Sequence, residues 1–536
     1  MKKYPYYEHK QVYTIKSLLD LCANKYRYKI AFSYQIKKQD VSVSFSEFKA
    51  QVEAFGTYLF SKGFDGKHIA VFGENSYEWI LTHFTVTCGG NVIVPIDKEL
   101  DTDSIAELLT DSESKLLVYS DAYADIAEEL QAKLPNITYI NMRDIPEHIE
   151  QGKNLIADGY NEYINKEVKK DDLASIVYTS GTTGKSKGVM LTHNNLMSDL
   201  YAASCSARID GISILLLPLH HTFGLVAGLY SVMYYGHPLY INRSLKRVVD
   251  DLKKAKPQNT FAVPLIVETL YKGIWSTAKK QGKEKLLRTL IKISNALRKC
   301  GIDLRRKLFK SVLDAFGGNL EVIICGGAPL NPELVTGLDA FGITLMNGYG
   351  ITECAPIVAV NRNKFNVIGS VGLPLCCNEV KIADDGEILV KGDNVMLGYY
   401  HNEEETKKVF SDGWFKTGDI GCIDKYGALH ITGRIKNLII LSNGENIPAE
   451  SIEEQIYTIP YVKEVICCGK DNVIVAEVYL DEEVVDAKAR INDDIQKINQ
   501  SLPQIRNIGR VVVRDTEFPK TTTKKIKRNL GGQQNA

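Results

Sequence analysis

The sequence predicts an α/β protein, with a large N-terminal domain of layered, mostly parallel sheets covered by helices and a small α+β C-terminal domain. Three observations predict it. At 536 residues, 44% of them hydrophobic, the chain is long enough for large packed cores and too long for a single one. Residues 44 to 96 alternate helix and strand signals, as parallel strands joined by covering helices require. The last hundred residues mix short helices and short strands in a segment large enough to fold by itself.

The elements follow in order. Ser44 and Glu47 form a capping-box pattern, after which Phe48, Val52, Phe55 and Leu59 recur at helical spacing and Gly63 supplies a stop. A strand is expected over residues 68–72, a helix over 75–88 and a second strand over 91–96. Residues 174–178 read as a strand, as do Val189-Met190-Leu191, with Thr192 placed to cap what comes next. Residues 275–316 are basic and helical in pattern, and residues 322–325 form an apolar strand. Near the end, a helix is expected around 451–459, strands around 462–468 and 473–480, then a charged helix.

Composition narrows the function. Lys+Arg and Asp+Glu are equal at 65 each, so no global field favours nucleic acid, and any anion site must be local. The eleven cysteines include the adjacent pairs Cys376-Cys377 and Cys467-Cys468 but no CxxC and no zinc spacing, and read as reduced thiols of a cytoplasmic protein. The opening MKKYPYYEHKQVYTI has lysines without an apolar stretch, unlike a secretory signal. No run approaches the roughly 18 apolar residues of a spanning helix. Peripheral membrane contact is left open.

The stretch Thr179-Ser180-Gly181-Thr182-Thr183-Gly184-Lys185-Ser186-Lys187-Gly188 looks like a P-loop, which would mean an ATPase or kinase. Two features argue against that. Thr179 stands where a Walker motif has its first glycine, and the loop leads into a strand rather than a helix. What remains is a strand, a loop rich in backbone N–H groups and hydroxyls, and another strand, which suits a polyphosphate.

The same stretch resembles the phosphate-loop signature of the adenylate-forming superfamily, which contains acyl-CoA synthetases, adenylation domains and luciferases; Ser186 stands where proline is usual. Further matches follow in the family's order: Pro218 to Gly224 (PLHHTFG), Gly326-Gly327-Ala328-Pro329, Asn347 to Glu353 (NGYGITE), Gly413 to Asp419 (GWFKTGD), Gly433-Arg434-Ile435-Lys436, and Pro519 to Arg528 (PKTTTKKIKR). Seven ordered matches over nearly the whole chain make chance a poor explanation, and fatty acyl-CoA synthetases are the most similar branch.

The resemblance implies a two-step reaction. A carboxylate attacks the α-phosphate of ATP to give an acyl-adenylate and pyrophosphate, and a thiol then displaces AMP to give a thioester. The first step brings an anion against a polyanion, so the site must neutralise charge. The family pattern assigns Thr179, Ser180, Gly181, Thr182, Thr183 and Lys187 to the phosphates, with Thr182 among the catalytic residues. It assigns Glu353 to Mg²⁺, which binds through one or two carboxylates plus phosphate oxygens, and Thr352 to the α-phosphate. Tyr349 would stack on adenine, with Asn347 reading the base edge and Gly327, Ala328 and Gly350 lining its place. Asp419 would accept both ribose hydroxyls beside Arg434. Lys525 is the expected catalytic cation, although Lys524 stands where the family has glycine.

Lys525 serves the first step and obstructs the second. The family meets this by swinging a C-terminal lid on a hinge, which places the N-terminal ATP- and acyl-binding domain at 1–435, the lid at 436–536 and Lys436 at the hinge. Gly444 would then let the pantetheine arm approach. Amino-acid-activating relatives carry an aspartate where this chain has His220 and His221, so an ammonium would be unpaired and α-amino acids are disfavoured. His221 would lie near the acyl carboxylate, with Gly224, Ala227 and Gly228 leaving a channel for an alkyl chain. The expected substrates are a fatty acid, ATP and coenzyme A. The alternatives are a ligase that loads an acyl carrier protein and an aryl or short-chain acid-CoA ligase. A non-catalytic derivative of the fold would need damaged positions, yet Glu353, Asp419 and Lys525 are intact.

Overall fold

The computed structural model describes residues 6–179, 186–242, 244–440, 446–470, 472–481, 483–520, 526 and 528. They form two compact units, one of Met1–Glu379, Val390–Phe415 and Tyr426–Ala428, the other of Val380–Leu389, Lys416–Lys425 and Leu429–Ala536.

The first unit is built on two large sheets. In the seven-stranded sheet, His68–Phe72 lies between Val92–Ile96 and Leu116–Tyr119, all parallel, and Thr138–Asn141 extends the parallel run. Leu173–Thr179 joins Val92–Ile96 in parallel and then pairs antiparallel with Lys187–Thr192. The strands are near-continuous apolar runs because both faces are covered; Ile69, Ala70, Val71 and Phe72 are all fully buried. The helix Tyr77–Cys88 is capped by the Ser76 hydroxyl, which accepts from Trp79 N–H, so it starts two residues later than the apolar pattern alone suggests. It is buried on nearly every side. Phe45–Ser61 carries the expected capping box: Ser44 N–H donates to Glu47 Oε2 at 2.8 Å and Glu47 N–H to Ser44 Oγ at 3.3 Å.

The nine-stranded sheet runs Leu373–Pro374, Ile357–Val360, Thr344–Gly350, Val322–Cys325, Asn259–Ala262, Ser213–Leu215, Leu239–Ile241, Ile30–Ile36, Gln39–Ser44. Its central strands are parallel and its edges antiparallel. The basic segment forms the helices Pro264–Lys280 and Glu284–Lys299, followed by short turns of helix, and their inner faces join a core with Phe309, Leu338 and Phe341.

The second unit contains a three-stranded sheet. Val462–Lys470 and Val473–Leu480 form an antiparallel pair, and Ile508–Arg514 adds in parallel. Helices Ala449–Ile456 and Ala487–Ser501 close its core through Ile452, Ile456, Ile491 and Ile495. This is the small α+β domain that the mixed pattern predicts.

Candidate active site

The strands Leu173–Thr179 and Lys187–Thr192 put Thr179 opposite Lys187. Ser180, Gly181, Thr182 and Thr183 lie outside the described residues. The short strand Gly398–Tyr399 pairs with Lys187–Thr192, with Tyr399 opposite Val189. Gly188 C=O accepts from Tyr400 N–H at 2.7 Å, which fixes this register. Lys187 Nζ therefore comes 5.1 Å from the centre of the Tyr399 ring, within cation–π range, and forms an ion pair with Glu405.

At the hydroxyl of the same ring stands Glu353, in the turn of helix Thr352–Cys354. The Tyr399 hydroxyl donates to Glu353 Oε1 at 2.9 Å, and Glu353 C=O accepts from Met396 N–H at 2.8 Å. Burial and the Glu353 carboxylate both push the Tyr399 phenol upward, so it stays protonated and donates. Glu405 is held down to about 2, chiefly by its hydrogen bonds to Lys187 and Lys408. Lys187 and Glu353, expected from motifs 166 positions apart, are thus brought together through Tyr399, while Tyr399 and Glu405 belong to no motif singled out in the sequence. Among the described residues no cluster of three or more His, Cys, Asp or Glu could hold a metal ion. The single carboxylate of Glu353 fits a magnesium ion that takes most of its ligands from phosphate and water.

Beside this cluster, the strand Thr344–Gly350 carries the base-recognition candidates. Asn347 Nδ2 donates to Ser370 C=O at 3.3 Å, and its Oδ1 is buried without a hydrogen-bond partner, an acceptor left for a ligand's amino group. Tyr349 is half-buried, opposite Ala359. At Gly350 a Cβ would fall 2.1 Å from Pro356 C=O, so only glycine fits where the chain turns toward Thr352. Cys325 registers with Asn347 on the neighbouring parallel strand, and the chain leaves that strand through Gly326 and Gly327. Gly327 has φ +86°, and Gly327 and Ala328 are exposed there. Ligands of open α/β sheets bind at such carboxyl ends of strands.

His221 is half-buried; its N–H donates to Pro218 C=O at 3.4 Å, and its ring centre lies 4.2 Å from that of His220. Burial lowers the His220 pKa despite Asp97 Oδ1 at 3.5 Å from its Nε2. After them Phe223–Tyr230 winds as a π-helix, a wide turn that often marks functional sites. The two glycines of this turn sit in different surroundings. A Cβ on Gly224 would lie 2.2 Å from Pro218 C=O, so backbone packs closely there, whereas one on Gly228 would meet Leu215 Cδ1 at 3.5 Å, an ordinary van der Waals contact.

In the second unit, residues 416–423 of the strand Trp414–Ile423 run beside Leu429–Arg434, so that Asp419 faces Arg434. Arg434 Nε reaches Asp419 Oδ1 at 2.7 Å, the carboxylate buried and the guanidinium partly exposed. Lys436 follows in the turn Ile435–Asn437, and burial and Arg434 lower its pKa. Gly444 and Lys525 lie outside the described residues. The neighbour of Lys525 is placed: Ile526 bridges Lys520 in antiparallel fashion and packs on Ile466, Tyr479 and Phe518, while Arg528 pairs with Glu453.

Two groups of residues are therefore defined, one gathering a lysine, a tyrosine and a glutamate beside a phosphate-type loop, the other pairing a buried aspartate with an arginine. Both fit a nucleotide-binding enzyme of layered α/β architecture. The model of the AMP-binding enzyme family matches residues 19–400, and that of the AMP-binding enzyme C-terminal domain matches 436–534. The chain belongs to the AMP-binding enzyme family. The long-chain-fatty-acid–CoA ligase FadD15 of Mycobacterium bovis is 30% identical over 459 residues, which cover 80% of this chain and 75% of the relative. A chloroplastic long-chain-fatty-acid–[acyl-carrier-protein] ligase of Arabidopsis thaliana is 28% identical, over 84% of this chain and 74% of its own. Among solved structures, the o-succinylbenzoate-CoA synthetase of Bacillus subtilis with its acyl-adenylate has a TM-score of 0.75 at 24% identity, over 96% of this chain and 97% of the other.

Proposed function

We propose that this chain is an ATP-dependent, AMP-forming acid–thiol ligase that activates a medium- or long-chain fatty acid and transfers it to coenzyme A. The observation that carries the reading is the convergence of Lys187 and Glu353 on Tyr399, which gathers a cation and a carboxylate beside the phosphate-type loop. Lys187 would hold the outer phosphates, exchanging Glu405 for them. Glu353, oriented by the Tyr399 hydroxyl, would hold Mg²⁺, which supplies charge neutralisation on the phosphates. Asn347 Oδ1 would accept from the adenine amino group, Tyr349 would stack on the ring, and Asp419 would accept the ribose hydroxyls. Thr352 and the loop residues Ser180, Thr182 and Thr183 would contact phosphate oxygens.

In the first step a carboxylate oxygen of the acid bonds to the α-phosphorus and the bond to pyrophosphate breaks. Lys525 would stabilise the charge that builds between the two anions. In the second step the thiol sulfur bonds to the acyl carbon, AMP leaves with the bonding electrons, and the thiol proton passes to solvent. The 436–536 domain would turn at Lys436 between the steps, bringing Gly444 to the thiol arm. His221 would stand by the acyl carboxylate. A fatty acid is favoured by the fatty-acid ligases among the relatives. The Arabidopsis relative also favours a second reading, with the acyl group passed to a carrier protein on the same pantetheine arm.

Lys525→Ala should reduce acyl-adenylate formation, read by pyrophosphate exchange into ATP, by at least about 100-fold, the scale of losing one transition-state donor. Thioester formation from a supplied acyl-adenylate should persist. Equal loss in both steps removes Lys525 from the role. Exchange across a panel of acids, followed by thioester assays with coenzyme A and with a carrier protein, identifies the acid and then the acceptor.

A further inference from the structure

The chain is neutral overall, yet residues 279–310 hold twelve lysines and arginines against two acids. Much of that charge sits on Glu284–Lys299, an amphipathic helix whose inner face is fixed by Leu287, 9% exposed, and Ser294, 1% exposed. The outer face is not uniformly polar. Leu286 is 55% exposed and Ile293, two turns on, 49%; Ile302 follows just past the helix at 48%. Lys285, Lys292 and Lys299 recur every seven residues and are all exposed, so they form one row along the flank of the aliphatic row.

Two long aliphatic side chains in register on a solvated helix, flanked by a continuous lysine row, form the pattern of a helix that lies in a lipid headgroup layer. The aliphatics enter the acyl boundary while the lysine stems reach outward to phosphates. A nucleic acid backbone would use the lysines and gain nothing from Leu286 or Ile293. We propose that this helix is a docking surface for an anionic phospholipid bilayer. The position suits that use. The preceding helix, Pro264–Lys280, is joined to it through Gly282 and packs along it, with Arg288 4.6 Å from the Trp275 ring centre. That helix begins directly after Asn259–Ala262, where Gly326 N–H donates to Ala262 C=O at 3.2 Å and a Cβ on Gly327 would touch Val263. The hairpin is thus rooted at the strand ends that carry the candidate site, and a bilayer held on its outer face would lie close to where an acyl substrate is used. That purpose rests on the proposed fatty-acid reading; the docking itself does not.

The test is sedimentation of the full-length protein with vesicles of phosphatidylcholine alone or mixed with phosphatidylglycerol, read without turnover, so its failure is distinct from failure of the substrate assignment. The protein should pellet with the anionic vesicles at low salt and be released as salt rises. Leu286→Ser with Ile293→Ser should weaken binding by about tenfold or more. Lys285→Gln with Lys292→Gln and Lys299→Gln, which changes only exposed positions, should abolish it, and both variants should keep pyrophosphate exchange with a short soluble acid. Equal recovery with and without anionic lipid overturns the proposal, as does unchanged sedimentation of the lysine variant. An acidic carrier protein that displaces the vesicles at equal concentration would assign the surface to a protein partner and overturn it as well.

Discussion

Lys187 has two claims on its charge. It is paired with Glu405, whose carboxyl is held down to about 2 and so remains ionised at every working pH. A phosphate entering the loop must displace that carboxylate. Glu405→Gln removes the competitor without removing volume, and the affinity for ATP should rise by roughly two- to fivefold, the equilibrium factor of a partly exposed ion pair. Titration calorimetry with ATP reads it directly; weaker binding would mean that Glu405 helps hold the nucleotide. Glu353 was legible in the sequence because NGYGITE is specific, and Lys187 because it closes a glycine-rich loop. Tyr399 was not. It reaches Glu353 through pairing with a strand some 210 positions earlier, and neither Gly398-Tyr399 nor the residues around it carry a local pattern that announces such a pairing.

Strands buried in a core were the most legible. Strands expected over 68–72, 322–325 and 473–480 are observed with those bounds, because apolar runs between turn residues leave little choice of register. The π-helix Phe223–Tyr230 was not legible: in an eight-residue stretch that is almost wholly apolar, no periodicity separates its winding from an α-helix. Nor does the sequence tell its two glycines apart: Gly224 is small because the Pro218 carbonyl packs against it, while Gly228 has room for a Cβ. Gly224→Ala places a methyl 2.2 Å from the Pro218 carbonyl oxygen, where backbone must move. The expected loss is about 1–3 kcal/mol in denaturant unfolding, the usual cost of overpacking. The shift should also disturb His221, whose N–H bonds that same carbonyl, and appear as a raised KM for the acid.

At the scale of the molecule, two buried histidines should set the acid limit. His83 is fully buried with Nε2 on the Tyr230 hydroxyl, and burial with neighbouring His193 holds its pKa down to about 3. His193, whose Nδ1 accepts from Ile15 N–H, is held down to about 4 by burial. Both folded values lie below the unfolded 6.5, so the stability they contribute is complete above pH 6.5 and drains as pH falls. Around pH 5 unfolding should take up nearly two protons from this pair, a slope approaching about 2.7 kcal/mol per pH unit, against about half that at pH 6.5. His193→Asn, which retains an acceptor for Ile15, should flatten the measured slope by one proton; an unchanged slope would refute the assignment. The division into a large α/β body and a small α+β domain was readable from length and pattern. The sequence-discontinuous course of the two compact units was not, because the excursions 380–389 and 416–425 look like any other β-rich connection.

The seat of Ile526 has a practical meaning for anyone mapping this protein by mutation. That isoleucine is wedged among Ile466, Tyr479 and Phe518, so the chain's return beside Lys520 is held by greasy residues. Trimming Phe518 would loosen that anchor, so a loss recorded there in an alanine scan would report packing rather than contact with a ligand.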